Sequence, residues 1–323
     1  MLNYWSISSI VLKDEAEKLG LHVETIIPEK NLFKVSGNGR EFYFKSTDFG
    51  GNSALGMKIA EDKQMTYVIL ERNGFPIAHS LYIHKSELDN FPKESLSGFR
   101  YPVIIKPINQ AHGNGVMMNI TGYEELLLKL KKSFEIYENM IVQEQIIGDE
   151  FRVLVVRGEV VVVINRIPPC IIGDGKQSIA TLIEIENTTN PLRGFDYERP
   201  LSYIRTDAEL DHCIKKYGYS RNSIPARNQK VFLRSNSNLG TGATAKDVTH
   251  MMHQETKDIC IQACQQIGLE IAGVDIITND ISKSLKETGG IILEINDTPG
   301  IGGHRELTSI NSGKRILEKL FFE

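Results

Sequence analysis

An α+β or mixed α/β fold follows from three features of the sequence. Runs rich in Val and Ile come in pairs, helical segments separate those pairs, and 323 residues allow a large core with two or three subdomains. Hydrophobic residues at 41% and charged residues at 24% are ordinary for a globular chain. The formal net charge of -4 provides no broad basic field, which argues against nucleic acid as a partner. No apolar run approaches the ~20 residues needed to cross a bilayer, so no membrane span is expected. The opening "MLNYWSISSIVLKDEAEKLG" lacks the basic region, long apolar stretch and cleavage site of a secretory signal, and a cytoplasmic protein is expected.

Taken in order, "SSIVLKDEAEKLGLHVETIIP" reads as a helix ending near Gly20 and then an edge strand. "NLFKVSGNGREFYFKS" is a hairpin, because "SGNG" between two alternating runs is turn chemistry. "AEDKQMTYVILERNGFPIA" reads as one helix stopped by Asn73-Gly74, with Pro76 beyond. "YPVIIKPINQAHGNGVMMNI" is strand, glycine-bearing loop and strand, and "TGYEELLLKLKKSF" is an amphipathic helix with Thr121 as its expected N-cap. Two or three strands fill "NMIVQEQIIGDEFRVLVVRGEVVVVINRIPP". From Thr181 to Asn228 the chain is polar, with mixed signals that suit an insertion. A strand near "KVFLR", a helix over Gln254 to Ile267, strands "IAGVDIIT" and "GIILEIN", and a closing helix "GKRILEKLFF" complete the chain. Cys260 and Cys264, one turn apart on an apolar stripe of that helix and without CxxC spacing, are expected in the core.

The chemistry starts at "GGIILEINDTPG". Glu294 and Asn296, two apart on a strand, share a face. Asp275 is the only ionisable residue of "IAGVDIIT". If the two strands are neighbours, two carboxylates and an amide oxygen converge as a hard, all-oxygen set that suits Mg²⁺, with Mn²⁺ able to replace it. A magnesium held in this way implies a nucleotide. Lys106 closes an apolar strand, where an ammonium needs an anion to meet. His112, Gly113, Asn114 and Gly115 follow as flexible backbone that can approach a phosphate closely. The spacing fits neither a Walker A loop nor a Rossmann fingerprint. Gln143, Glu144 and Gln145 end another apolar strand, as a hinge between two lobes would, and Glu150 could accept from ribose hydroxyls. Arg152 shares a strand face with Glu150, where a plain salt bridge is the simpler expectation. Arg234 closes "KVFLR" as either a surface arginine or a phosphate-binding one.

These segments, in this order, resemble the ATP-grasp superfamily. Within it, "FRVLVVRGEVV", "NRIPPCIIGDGKQSIATLIEIEN", "NPLRG", "FLRSNSNLGTGATAKDVTH" and "EINDTPGIGGH" are similar to the ATP-grasp portions of cyanophycin synthetases and bifunctional glutathione synthetases. The likeness covers about residues 58 to 315. It implies an α+β ATP-grasp fold in which two α+β subdomains clasp ATP. A short N-terminal unit would occupy 1–58, a linker helix and small subdomain 59–148, and a large subdomain 149–323, with the polar insertion near 187–228.

The resemblance further implies an ATP-dependent carboxylate–amine ligase working through an acyl phosphate, with amino acids or short peptides as substrates. A non-catalytic nucleotide-binding subunit, or transfer to an acceptor other than an amine, is the alternative. By the same likeness, Lys63 and Lys106 are the nucleotide-binding lysines, and His112 to Gly115 is the lid. Gln143 to Ile146 is the adenine hinge and Glu150 the ribose acceptor. Asp275, Glu294 and Asn296 are the metal ligands. Arg152 and Arg234 fall where relatives place phosphate- or substrate-facing arginines, and His304 matches a histidine of unnamed role. D-alanine–D-alanine ligase-like members carry an arginine two residues before the first metal acid, where this chain has Gly273; Arg234 is the expected replacement. Arg193, Arg205 and Arg221 are candidate substrate selectors. A homodimer or a protein partner is an expectation from the likeness alone.

Overall fold

The computed structural model describes residues 5–110, 114–195 and 199–323, apart from the side chain of Arg305. The chain opens on the helix Ile7–Lys18, capped by Ser6, whose hydroxyl accepts from the Ser9 N–H at 3.2 Å. Gly20, at φ +73°, lets the chain turn back into a three-stranded antiparallel sheet of His22–Ile27, Leu32–Gly37 and Arg40–Lys45, with the first strand at the edge. The Asn38-Gly39 turn has positive φ at both residues, the hairpin geometry foreseen from "SGNG".

The next helix differs from the expectation of one continuous segment. Two helices, Ala54–Glu61 and Lys63–Arg72, meet at Asp62. Asp62 leaves helical geometry and its carboxylate accepts from the Met65 N–H at 3.0 Å, so it caps a new helix and puts Lys63 on its first turn. Thr121 likewise is not the cap of the helix Tyr123–Ser133. Gly122 holds that position, and the Thr121 hydroxyl contacts Glu125 at 3.2 Å.

Two larger antiparallel sheets carry the rest. The four-stranded sheet runs in the order Ser80–His84, Asn139–Glu144, Val103–Pro107, Met117–Ile120. The helix Tyr123–Ser133 lays Leu126 and Leu130 on it, each fully buried side chain contributing about 1.5–3 kcal/mol. The five-stranded sheet runs Thr244–Asp247, Glu159–Ile167, Asp149–Val156, Ile271–Thr278, Ile291–Asn296. One face packs on the helix Gln254–Ile267, with Cys260 and Cys264 buried in that core. The other face is covered in part by the N-terminal unit and the closing helix Ser312–Phe321. The insertion has a small core of its own around Ile179, Ile183, Leu210 and Ile214, on the helices Ile179–Thr189 and Ala208–Lys216. The class is α+β, with antiparallel pairing in every sheet except the short Arg193–Gly194 and Leu201–Ser202 pair.

Candidate active site

The three residues expected to hold a metal are brought together by strand register. Asp275 stands directly opposite Glu294, and Asn296 opposite Gly273, so all three project from one face at the end of the sheet. Asp275 is buried, and Asn296 lies 3.5 Å from its Oδ2. With its nitrogen toward Glu294, Asn296 donates to Oε1 at 3.3 Å and accepts from Arg152 Nη2 at 3.2 Å. Turned over, its oxygen stands beside that carboxylate, and a hard divalent cation between them satisfies both. Among the described residues no three of His, Cys, Asp and Glu gather where a metal could sit, so a metal here depends on that amide oxygen.

The same row continues sideways across the sheet. Arg152, opposite Asp275 on the neighbouring strand, grips it with Nε on Oδ1 and Nη2 on Oδ2 at 3.0 Å. Arg166, opposite Glu150, donates from Nη1 to Glu150 Oε1 at 3.0 Å and reaches Asp275 Oδ2 at 3.5 Å. The salt bridge expected between Glu150 and Arg152 along one strand is replaced by these pairs across strands. Ser237 adds a hydrogen bond to Glu150 Oε2 at 2.7 Å. Burial works against the charge of Arg166, but Asp275 and Glu150 outweigh it and its pKa is raised.

Gly273 explains its own departure from the ligase pattern. A Cβ there would lie 2.3 Å from Arg152 Nη1, because the Arg152 side chain passes over that backbone. Arg152, not Arg234, therefore covers the backbone at Gly273. Arg234 is turned into the insertion instead. Its side chain is 1% exposed and ion-paired with Asp207 and Glu209, and it does not line the cavity. The proposed selectors fare similarly. Arg193 is buried against Glu186 and the Ser202 and Gly242 carbonyls, and Arg221 pairs with Asp211 on the surface. Neither they nor Arg205 line the cavity.

From the facing side come the two lysines, Lys106 on the four-stranded sheet and Lys63 on the helix Lys63–Arg72. Lys106 is buried and donates to Tyr67 Oη at 2.7 Å and to Gln143 Oε1 at 2.9 Å. Both partners are neutral, so burial pushes its pKa down to about 8, with Glu294 opposing. Lys63 donates to the Gln110 carbonyl at 2.5 Å and stands 3.9 Å from Glu294. Its pKa is also lowered by burial, with Glu294 opposing and Lys106 assisting. Tyr67, one turn after Lys63 on the same helix, donates its hydroxyl to the Leu293 carbonyl and so ties the lysine cluster to the strand that carries Glu294. Tyr67 and Arg166 were missed from sequence. Each left a signal: Tyr67 lies four residues after Lys63, and Arg166 closes an apolar run as Lys106 does.

At the hinge, Gln143 serves Lys106 and Ser80 Oγ. Glu144 is held by the Arg100 N–H at 2.9 Å and by its guanidinium at 3.1 Å. Gln145 bonds Asn119 through both ends of its amide, at 2.8 and 3.0 Å. Its N–H donates to the Pro102 carbonyl, and that of Glu144 to His79, whereas the Ile146 N–H finds no partner among the described residues. Asn114 lines the cavity. Gly115 sits at φ +73°, where a Cβ would be 2.7 Å from Pro107. His112 and Gly113 lie outside the described residues. His304 is buried on Ser312 Oγ at 3.0 Å; burial, then Arg152 and Arg166, lower its pKa to about 3, so it is neutral. The cavity lined by Lys63 and Lys106, Gln143 to Ile146, the Arg152–Arg166 row and the Asp275–Asn296 group measures ≈ 1510 Å³ and reaches the N-terminal unit and the insertion.

Residues 60–169 and 224–320 match the family model of the RimK-like ATP-grasp domain. The chain belongs to this ATP-grasp family. The gap in the match, residues 170–223, falls on the insertion. Cyanophycin synthetase of Trichormus variabilis is 37% identical over 252 residues, which are 77% of this chain and 27% of that protein. The glutathione biosynthesis bifunctional protein GshAB of Clostridium perfringens is 28% identical over 325 residues, 98% of this chain and 41% of that protein. The crystal structure of a bifunctional glutathione synthetase from Pasteurella multocida superposes with a TM-score of 0.75 at 26% identity, covering 98% of this chain and 44% of that one. The ATP-grasp chain described here thus spans between a quarter and a half of the length of these relatives. None of its described helices is long and apolar enough to cross a membrane.

Proposed function

We propose that this ATP-grasp chain is a carboxylate–amine ligase that joins amino acids or short peptides at the expense of ATP. The observation that carries the reading is the approach of the helix bearing Lys63 to the carboxylate face of the five-stranded sheet. Asp275, Glu294 and Asn296 share one face of two neighbouring strands, and Lys63, on the facing helix, approaches Glu294 at 3.9 Å. In the reaction, a carboxylate oxygen attacks the terminal phosphorus of ATP and ADP leaves. The amine nitrogen then attacks the acyl carbon, the carbon–oxygen bond breaks with its electron pair going to phosphate, and the ammonium proton passes to solvent.

Magnesium bound at Asp275, Glu294 and Asn296 would neutralise phosphoryl charge. The chain's own groups supply the rest. Lys106, held by two neutral acceptors, has its third N–H free for a phosphate oxygen. Arg152 and Arg166 both hold Asp275 from the side of the sheet opposite Glu294 and present fixed positive charge where the acyl phosphate would form. The Ile146 N–H is left for an adenine edge. Neutral His304 adds no charge behind the arginines. Glycine backbone at the lid would shield the acyl phosphate from water.

The test is ADP release by the purified protein with magnesium and ATP, with amino-acid and dipeptide pools supplied as donors and amines. Release that needs both pools, with an amide product by mass spectrometry, is expected. Nucleotide binding without release under any pool would make the chain a binding subunit. A product lacking a new carbon–nitrogen bond would change the acceptor class.

A further inference from the structure

The segment that follows Asn296 shows two different sides. Thr298, Gly300 and Gly302 line the cavity, as Asn296 does. The positions between them are held from behind by the N-terminal unit, which lies before residue 60, where the family match begins. Asn52 Nδ2 donates to the Asp297 carbonyl at 2.8 Å, and Thr47 Oγ1 donates to the Pro299 carbonyl at 2.9 Å. Ser8 Oγ accepts from the Ile301 N–H at 3.0 Å. All three side chains are buried. Backbone groups withdrawn from water need partners, and here side chains of the N-terminal unit serve where a paired strand otherwise would. A Cβ on Gly302 would lie 2.6 Å from Ile7 Cγ2, so the start of the first helix also presses on this segment.

Asn52 does more than hold one carbonyl. Its Nδ2 also donates to the Ile271 carbonyl at 3.0 Å, and its Oδ1 accepts from the Glu270 and Ile271 N–H groups at 2.8 and 2.9 Å. With the bond to Asp297, the amide makes every hydrogen bond its two donors and two lone pairs allow. The strands that carry Asp275 and Asn296 end their pairing at Gly273 with Asn296. Just past that pair, Asn52 ties Ile271 to Asp297 and continues the ladder through a side chain. The Asn296 amide has no such fastening. Its contacts with Asp275, Glu294 and Arg152 run from 3.2 to 3.5 Å, at the long end for hydrogen bonds. Its position is therefore set by the backbone on either side of it, and on one side Asn52 holds that backbone.

We propose that the N-terminal unit is a brace for the site, and that Asn52, seconded by Thr47, is the positioning residue that sets where Asn296 stands against Asp275 and Glu294. The cation expected at Asn296 rests on the ligase reading, whereas the brace can be read without it. A side chain that fixes a ligand from behind acts as the outer shell of a metal site does, and loss of such partners typically weakens metal affinity about 10- to 100-fold. Lys106 and the hinge belong to the four-stranded sheet, whereas Asn52 uses all its hydrogen bonds on the five-stranded one and the turn beyond it. Metal requirement and metal-free nucleotide affinity should therefore separate.

The test uses Asn52→Asp, which keeps the acceptor for Glu270 and Ile271 but turns a carboxylate oxygen toward the Ile271 and Asp297 carbonyls, and Thr47→Val, which loses a hydroxyl. Thr47→Ser restores that hydroxyl. Val35→Ala loosens the same unit at a side chain that makes none of these bonds. Two quantities are read. One is the magnesium concentration that half-saturates binding of a non-hydrolysable ATP analogue, and the other is amide hydrogen exchange across residues 291–301 without metal or nucleotide. Asn52→Asp is expected to raise the magnesium requirement about tenfold or more, and Thr47→Val to raise it less. Exchange across 291–301 should be faster in both, with metal-free affinity for the analogue as in wild type. Thr47→Ser and Val35→Ala should keep the wild-type requirement. A requirement unchanged in both Asn52→Asp and Thr47→Val, in a protein that needs magnesium, overturns the proposal, as does an equal rise in Val35→Ala. Wild-type binding that is absent or indifferent to magnesium refutes the cation at Asn296; the brace then stands if exchange quickens in Asn52→Asp but not in Val35→Ala, and falls otherwise. Should Asn52→Asp fail to fold, the contrast of Thr47→Val with Thr47→Ser decides in its place.

Discussion

The two sheets that border the cavity treat buried charge in opposite ways. On the four-stranded sheet, Lys106 meets only neutral acceptors, Tyr67 and Gln143, and its pKa falls to about 8. On the five-stranded sheet, Arg152 and Arg166 are matched by Asp275 and Glu150 in cross-strand pairs. A lysine among neutral partners keeps an unmet charge that a phosphate can satisfy. Arginines tied to carboxylates keep their charge at any working pH and fix the geometry of Asp275. One side is built to be completed by a ligand, and the other is already braced.

The sharpest way to break the contrast is to remove one member from each side. Glu294→Ala and Lys106→Ala are each expected to lower turnover by about 10²–10³ or more while the fold persists, as seen by circular dichroism. Undiminished activity in either would remove that residue from the proposed site. Gly273→Ala should come next. Its methyl would collide with Arg152, and the braced side would lose its register at a stability cost of about 1–3 kcal/mol, read as a lowered Tm together with reduced turnover. Tyr67→Phe removes one of the two acceptors of Lys106 and the donor to Leu293. It should raise the KM for ATP about tenfold and cost about 1–3 kcal/mol from the buried groups left unpaired.

Acidity separates the sides more finely. Between about 8 and 10.5, the unfolded chain carries a proton at Lys106 that the nucleotide-free fold has shed. Raising pH through that window therefore stabilises the free protein, and below about 8 the whole burial cost is present. Nucleotide affinity should move the other way, falling as pH rises past 8, because phosphate favours the ammonium. Isothermal titration across pH 7 to 10, set beside Tm over the same range, checks the opposed slopes. Smallest of all, Arg221→Ala on the insertion surface is expected to leave turnover and nucleotide affinity unchanged.

Much of this was legible from sequence because burial imposes periodicity. Gln254–Ile267 and Ile271–Thr278 are buried on a stripe or throughout, and their expected bounds agree with the structure. Asp275, Glu294 and Asn296 could be placed together because strand alternation fixes which residues share a face. The break at Asp62 was hidden: its flanking residues continue a helical pattern, and only the side-chain cap reveals the turn. Arg166 and Arg234 illustrate the harder limit. Both close apolar runs, and local sequence treats them alike. Which one faces the cavity depends on distant carboxylates, Asp207 and Glu209 for Arg234 and Asp275 for Arg166. Gly273 likewise reads as a lost arginine until the neighbouring strand shows Arg152 lying across it.

The most direct measurement is the affinity for a non-hydrolysable ATP analogue, with and without magnesium, in wild type and Glu294→Ala. The account predicts tight binding by wild type that collapses without magnesium, and weak binding by the variant that magnesium barely improves. Affinity indifferent to the metal in wild type, or a variant that responds to magnesium as wild type does, would contradict a cation held by Asp275, Glu294 and Asn296.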